Sequence, residues 1–197
     1  MIRLINVSKW PVLALAGIAL AACGSTKTAD IPNGSDTGAT PVQTATTATT
    51  ATTTPTFAKP TAAVTALAKA VGTDTKTKPK IEKPSGKPPA KLTVVDIVKG
   101  TGAAAKTGDT LNVDYAGNSW STGKEFDASW KRKQTFPVTL GSQQVIPGWE
   151  QGLVGMKQGG RRLLVIPPDL GYGSSGSGTS IKPNETLIFV VDLRKKS

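Results

Sequence analysis

Apolar and polar positions alternate with a period of two through much of the C-terminal half of this chain. Residues 110–116 put Leu111, Val113 and Tyr115 on one side and Asn112 and Asp114 on the other, the pattern of a strand with one apolar face. Residues 186–194 repeat it with Leu187, Phe189, Val191 and Leu193. Shorter β-rich runs at 92–98, 124–129, 135–140 and 161–166 complete six predicted strands. Turn signals separate them: Gly100-Thr101-Gly102, Gly108-Asp109, Gly117-Asn118, Thr122-Gly123 and Gly159-Gly160. One stretch, 147 to about 155, follows the helical period instead. Pro147 suits its first position, and Trp149, Leu153 and Met156 share a face. Six short strands and one short helix predict an α+β domain, an antiparallel sheet curled over a helix.

The first half of the chain has no such pattern. Arg3 and Lys9 precede an uncharged, almost wholly apolar run from Trp10 to Ala22. At 13 residues it is shorter than the ~20 needed to span a bilayer, and it fits a secretory signal peptide over 1–22. The run ends Leu20-Ala21-Ala22-Cys23-Gly24, which resembles a bacterial lipobox. That resemblance implies cleavage before Cys23 and lipidation of its thiol, so that the chain is held on a membrane. Residues 23–78 then collapse onto Thr, Ala, Pro, Gly and Lys, the composition of a disordered tether. Within it Val64, Leu67, Ala68 and Val71 recur at helical spacing between Pro60 and Gly72. They predict a transient or docked helix, too short to stand alone. Residues 76–91 are a Lys/Pro run expected to stay extended.

Composition narrows the chemistry. The chain holds 24 Lys and Arg, 13 Asp and Glu, one Cys and no His. Imidazole bases, Ser-His-Asp and Cys-His pairs, His-ligated metals and an intrachain disulfide are therefore excluded. The net charge of +11 divides as +2 over 1–23, +5 over 24–91 and +4 over 92–197. More than half the excess lies outside the patterned region, so a globular nucleic-acid-binding face is not expected.

Three local patterns bear on chemistry. Residues 171–176 read Gly-Tyr-Gly-Ser-Ser-Gly, a literal GxGxxG, but residues 177–183 that follow cannot open the helix a dinucleotide site needs. A surface loop is the better reading. Glu125 and Asp127 lie two apart on a predicted strand, as a two-carboxylate hydrolase would require, with nothing else to support it. The aromatic set is more telling: Tyr115, Phe126, Phe136, Trp149, Tyr172 and Phe189 come from separate elements. The plain alternative is that all six are core.

The order and context of those aromatics favour a site. Val145-Ile146-Pro147-Gly148-Trp149-Glu150-Gln151-Gly152-Leu153 resembles the central signature of FKBP-type peptidyl-prolyl cis-trans isomerases. In family order around it stand Lys99-Gly100-Thr101-Gly102, Val113-Asp114-Tyr115-Ala116-Gly117, Gly123-Lys124-Glu125-Phe126-Asp127-Ala128-Ser129, the stretch 136–141, Ile166-Pro167-Pro168-Asp169-Leu170-Gly171-Tyr172-Gly173, and Pro183-Asn184-Glu185-Thr186-Leu187-Ile188-Phe189. The resemblance runs from about residue 92 to the end.

It implies an antiparallel half-barrel of five to six strands wrapped over one short helix, with the isomerase domain drawn over 79–197. It implies Trp149 as a pocket floor, and Tyr115, Phe126, Phe136, Val145, Ile146 and Phe189 as walls, with Ile181 the one apolar residue of the Ser/Gly-rich loop above. The Ile146 N–H and the Tyr172 hydroxyl would donate to substrate. Asp127 would accept a hydrogen bond, oriented by Arg132 and the Tyr115 hydroxyl. No cofactor or metal is implied. The partners expected are proline-containing unfolded or partly folded exported proteins, the membrane through its lipid anchor, and macrolides as a ligand class, with no nucleic acid and a monomeric chain. A module that grips proline-containing segments with little turnover is the alternative.

Overall fold

The computed structural model describes residues 57–197. The expected signal peptide, Cys23 and the expected tether up to residue 56 lie outside the described residues.

The apolar spacing at 64–71 forms a real helix, α1 (Ala62–Val71). Thr61 caps it, its Oγ1 accepting the Val64 N–H at 3.4 Å, and Gly72 ends it at φ +77°, a conformation that suits glycine. Six strands follow: β1 (Thr93–Val98), β2 (Thr110–Ser119), β3 (Glu125–Ala128), β4 (Phe136–Thr139), β5 (Arg161–Ile166) and β6 (Leu187–Lys196). A second helix, α2 (Pro147–Gly152), lies between β4 and β5. All pairings among these six strands are antiparallel, in the order β1-β5-β6-β2-β3. β4 pairs with the first half of β2 (Thr110–Val113) and β3 with the second half (Ala116–Asn118). The architecture is the expected six-stranded antiparallel α+β fold.

The sheet is apolar on both faces. Leu111, Val113, Tyr115, Leu164, Ile166, Leu187, Phe189, Val191 and Leu193 form one core with Trp149 and Leu153. Ala116, Trp120, Leu163, Val165, Ile188 and Val190 form a second core with Val64, Leu67, Ala68 and Val71 of α1. Each helix therefore covers one face. This corrects the domain boundary expected from sequence. Residues 62–71 belong to the folded unit rather than to the 23–78 tether, because their apolar stripe is needed to close the second face.

Both helix ends deserve a physical account. Gly148 and Gly152 let α2 sit directly on β5: a Cβ at Gly148 would stand 2.4 Å from Ile166 Cγ2, and one at Gly152 would stand 2.9 Å from Leu164 Cδ2. α2 ends at Gly152 rather than near 155. The buried Arg162 guanidinium donates to the carbonyls of Gly152 and Val154, both at 2.8 Å, which satisfies groups a longer helix would have used internally.

The expected turn at Gly117-Asn118 is not a turn. β2 continues through it to Ser119, for a reason that belongs to the site.

Candidate active site

Five rings and one carboxylate define the site. Tyr115 comes from β2, Phe126 and Asp127 from β3, Phe136 from β4, Trp149 from α2 and Phe189 from β6. Trp149 is buried and central. Its ring stands 5.2 Å from both Tyr115 and Phe189 and 6.2 Å from Phe136, each edge to face. Tyr115 meets Phe136 at 5.8 Å, and Phe126 meets Phe189 at 5.5 Å. Such T-shaped contacts match the positive edge of one ring to the negative face of the next. Phe136 is 37% exposed, so the ring cluster opens to solvent there. Tyr172, 40% exposed, makes no ring contact with the cluster. Trp149 Nε1 is buried and has no hydrogen-bond partner among the described residues.

The β2–β3 pairing shows how Phe126 reaches this cluster. Gly117 pairs with Asp127 and Asn118 with Glu125, so Phe126 is the extra residue of a bulge. A bulge bends the strand and re-aims the side chain it carries. The ring of Phe126 then lies over Gly117, where a Cβ would stand 2.8 Å from its Cε2 and Cζ and 2.7 Å from Phe189 Cε1. Gly117 is therefore an open slot under two rings, which the sequence disguises as a turn signal.

Behind the rings, Asp127, Tyr115 and Arg132 close a three-membered network. The Tyr115 hydroxyl donates to Asp127 Oδ2. Arg132 donates from Nη1 to Asp127 Oδ1 and from Nη2 to the Tyr115 hydroxyl oxygen, both at 2.7 Å. The Ala128 N–H adds a fourth bond, to Oδ1 at 2.8 Å. Arg132 also lies 5.7 Å from the Tyr115 ring centroid. Burial alone would raise the Asp127 carboxyl, but Arg132 and the Tyr115 hydroxyl outweigh it and hold the group below the usual carboxylate range. Burial, reinforced by the Asp127 charge, pushes the Tyr115 hydroxyl up to about 12. Burial and the same charge raise Tyr172. At neutral pH the site thus holds one fixed carboxylate and two protonated phenols.

The segment before α2 is fixed from within the helix. Glu150 accepts the N–H groups of Gly141 at 2.5 Å and Gln143 at 2.8 Å, which sets the loop leading to half-buried Val145 and Ile146. Ile146 is the N-cap of α2, its carbonyl accepting the Trp149 N–H at 2.9 Å. Ile181 is buried in the same core as Trp149. It is held by reciprocal backbone bonds with Ser177, at 2.9 and 3.1 Å. The GxGxxG residues form a short 3₁₀ turn (Gly173–Ser175) with no strand before it and no α-helix after it, so a phosphate loop is not formed. Glu125 and Asp127 are not a catalytic pair: Glu125 binds Lys78 and Lys131 at 2.6 and 2.9 Å, while Asp127 is spent on Arg132 and Tyr115. Among the described residues no group of His, Cys, Asp and Glu is placed to hold a metal ion.

Sequence reading brought together Tyr115, Phe126, Phe136, Trp149, Phe189 and Asp127. It missed Gly117 and Glu150. The signal for Gly117 was present: a glycine on the apolar face of a strand, in register with an aromatic face on β6.

Comparison with known proteins identifies the family of the domain. Residues 102–194 match the family described as FKBP-type peptidyl-prolyl cis-trans isomerase. An FK506-binding protein of Streptomyces anulatus is 53% identical over 117 residues, which cover 59% of this chain and 94% of that one. A probable FK506-binding protein of Corynebacterium glutamicum is 47% identical over 116 residues, covering 59% and 96%. Among solved structures, AtFKBP13 superposes with a TM-score of 0.51 at 33% identity, covering 56% of this chain and 96% of that one. FkpA from Escherichia coli superposes with a TM-score of 0.50 at 41% identity, covering 56% and 51%.

Proposed function

Since this chain belongs to the FKBP-type family and is a peptidyl-prolyl cis-trans isomerase, we propose that the Trp149-centred ring cluster is its catalytic pocket and that it works without covalent or acid–base chemistry. The observation that carries the reading is the pairing of Trp149, at 5.2 Å from both Tyr115 and Phe189, with a carboxylate already committed to Arg132 and Tyr115.

Rotation about an X–Pro bond faces a barrier of about 18–20 kcal/mol, because resonance holds the amide planar. The twisted amide has lost that resonance and its carbonyl is less dipolar. A dry aromatic surface disfavours the planar, polar form more than the twisted one, which is differential stabilisation of the transition state. Trp149 supplies the floor against which the prolyl ring packs. Phe126, Phe136, Phe189, Val145 and Ile146 supply the walls, and Ile181 backs the loop above. The Ile146 N–H and the Tyr172 hydroxyl donate to carbonyls of the flanking peptide. Asp127 accepts a contact from the twisting segment at a position fixed by Arg132. An acceleration of about 10⁴-fold requires about 5–6 kcal/mol, within reach of ring packing and a few fixed hydrogen bonds.

The substrates are proline-containing segments of exported proteins. The apolar run ending at Cys23 supports export and lipid anchoring on the extracytoplasmic face of a membrane, with the isomerase domain acting as a monomer beyond the tether. Macrolides that mimic a twisted prolyl amide are a second ligand class for the same pocket. A protease-coupled X-Pro peptide assay tests the pocket: Trp149→Ala and Phe126→Ala should each cut kcat/KM at least tenfold by about 1.4 kcal/mol or more of lost transition-state stabilisation, while Lys157→Ala leaves it unchanged. Metabolic palmitate labelling tests the anchor, and label retained by Cys23→Ala would refute it.

A further inference from the structure

Several charged groups that the isomerisation does not use converge on one short stretch, residues 72–78. The Thr75 carbonyl accepts from Arg194 Nη2 at 2.6 Å. The Gly72 and Thr77 carbonyls accept from Arg161 at 3.4 and 3.0 Å. Lys78 Nζ stands 2.6 Å from Glu125 Oε2.

Two of these contacts lead on to the site. Arg194 Nε donates to Asp114 Oδ2 at 2.6 Å. Asp114 Oδ1 accepts from Ser129 Oγ at 2.9 Å, and Ser129 Oγ accepts the Tyr115 N–H at 2.9 Å. The Arg194 guanidinium also lies 5.2 Å from the Trp130 ring centroid. Glu125, the second route, reaches Lys131 Nζ at 2.9 Å through its other oxygen. The segment 125–132, which carries Phe126, Asp127 and Arg132, is therefore gripped at Glu125, Ser129, Trp130 and Lys131. The gripping groups rest at their far ends on residues 75–78.

That segment needs such support. β3 is a four-residue edge strand, paired only with β2 and interrupted by the bulge at Phe126. The 3₁₀ turn after it (Ser129–Arg132) has no side-chain cap and ends at Lys133 with φ +52°. The sheet alone fixes it weakly, yet it must hold Phe126 and Asp127 against rings on β2 and β6.

We propose that residues 73–78 form a strap that sets the position of residues 125–132, and that Arg194 and Glu125 are positioning residues for the isomerisation. This rests on the reading of Phe126 and Asp127 as pocket residues. The Lys78–Glu125 pair sits near the surface, its side chains 38% and 21% exposed, and an ion pair of that kind adds little to global stability and is screened by salt. Arg194, 28% exposed, faces more deeply buried carboxylates, Asp114 at 15% exposure and Asp192 at 1% and 3.5 Å. Arg194→Lys keeps the positive charge beside them, so the substitutions act on placement more than on folding.

The test uses the full chain and a proline peptide, with kcat and KM resolved and the melting temperature measured for each variant. Arg194→Lys, which loses the forked contact to Asp114 and Thr75, should lower kcat about three- to tenfold with KM within about twofold. Glu125→Gln and Lys78→Gln should lower kcat about two- to threefold, and Lys78→Arg should restore it. Raising salt to about 0.5 M should bring wild-type kcat toward that of Lys78→Gln and leave the variant unmoved. Lys196→Gln, which breaks a surface pair with Asp109 outside this network, should match wild type throughout. Wild-type kcat in all the strap variants, or losses that simply follow melting temperature, would overturn the proposal. Phe126→Ala is assayed in parallel. If it loses turnover while the strap variants keep theirs, the strap alone is refuted. If it keeps turnover, the pocket reading beneath is refuted too.

Discussion

Phe189 fills, with the edge of its ring, the space that a side chain at its cross-strand partner Gly117 would need. The two residues face each other across β2 and β6, and a Cβ at Gly117 would stand 2.7 Å from Phe189 Cε1. Phe126 closes on the same point from β3, at 2.8 Å. Gly117→Ala should therefore displace both rings. Overpacking of this kind costs about 1–3 kcal/mol, and here part of the cost appears as lost activity because both rings belong to the pocket. The expected result is a lower melting temperature together with a fall in kcat/KM of about tenfold. Unchanged turnover would mean that the rings do not act where they stand.

The electrostatics of the site fix its pH dependence. Tyr115 is pushed up to about 12 and Tyr172 is raised, while Asp127 is held below the usual carboxylate range. With no His in the chain, nothing in the pocket changes charge between about pH 6 and 8. kcat/KM should be flat across that window. A depressed carboxyl contributes stability above its unfolded pKa near 3.9, and loses it as pH falls through the lower folded value. Activity and stability should thus decline together only below about pH 4. Tyr115→Phe removes one of the groups holding Asp127 down, so its acid limb should move to higher pH. A bell-shaped profile centred in the neutral range would point to acid–base catalysis.

The way these features were written in the sequence explains which could be read from it. β5 was legible to the residue, because it is bounded by the Gly159-Gly160 turn before it and Pro167-Pro168 after the apolar run Leu163–Ile166. The aromatic cluster was legible because Tyr115 and Phe189 stand on strands whose alternation is clear and Trp149 on the one short helix between β4 and β5. The end of β2 was misread because Gly117 has the identity of a turn residue and the role of a packing slot. α1 is predicted as a transient or docked helix of the tether, and the choice between the two stays open for a different reason. Its own stripe, Val64, Leu67, Ala68 and Val71, says only that a partner is needed. The partner was announced elsewhere, in Leu163–Ile166 and Leu187–Val191, which are apolar on consecutive residues rather than alternate ones. Strands of that kind are buried on both faces, so two covering layers were required, and that requirement decides for the docked form of α1. The Arg162 cap on α2 and the Glu150 brace on the loop before it depend on long side chains reaching across the fold, which no local spacing reveals.

Arg161 and Asp192 form a bidentate pair under the second face, at 2.6 and 2.7 Å, with each side chain 1% exposed. Removing one member leaves the other charged and dry. Asp192→Asn should cost about 3–5 kcal/mol, read as a reduced denaturation midpoint at unchanged slope. Arg161 also donates to the Gly72 and Thr77 carbonyls, so the same variant should expose residues 72–78 to faster amide exchange. A loss below about 1 kcal/mol would mean that water reaches the pair.

The helix that sequence assigned to the tether provides the sharpest test of where the domain begins. Leu67 is 4% exposed and packs in the core that contains Leu163, Val165, Ile188 and Val190. Were α1 a passing structure in a flexible linker, Leu67→Ala would change nothing measurable. As a core residue it should cost about 2–5 kcal/mol, the usual range for Leu→Ala in a packed interior. Thr65, on the same helix, is exposed, and Thr65→Ala should stay within about 0.5 kcal/mol of wild type. The contrast between the two, measured by denaturant titration of the full chain, separates a docked helix from a tether. Leu67 packs on the face opposite Trp149 and touches none of the site rings. Turnover of Leu67→Ala at a temperature where it is folded should therefore stay close to wild type, so that this variant moves stability while Gly117→Ala moves stability and turnover together.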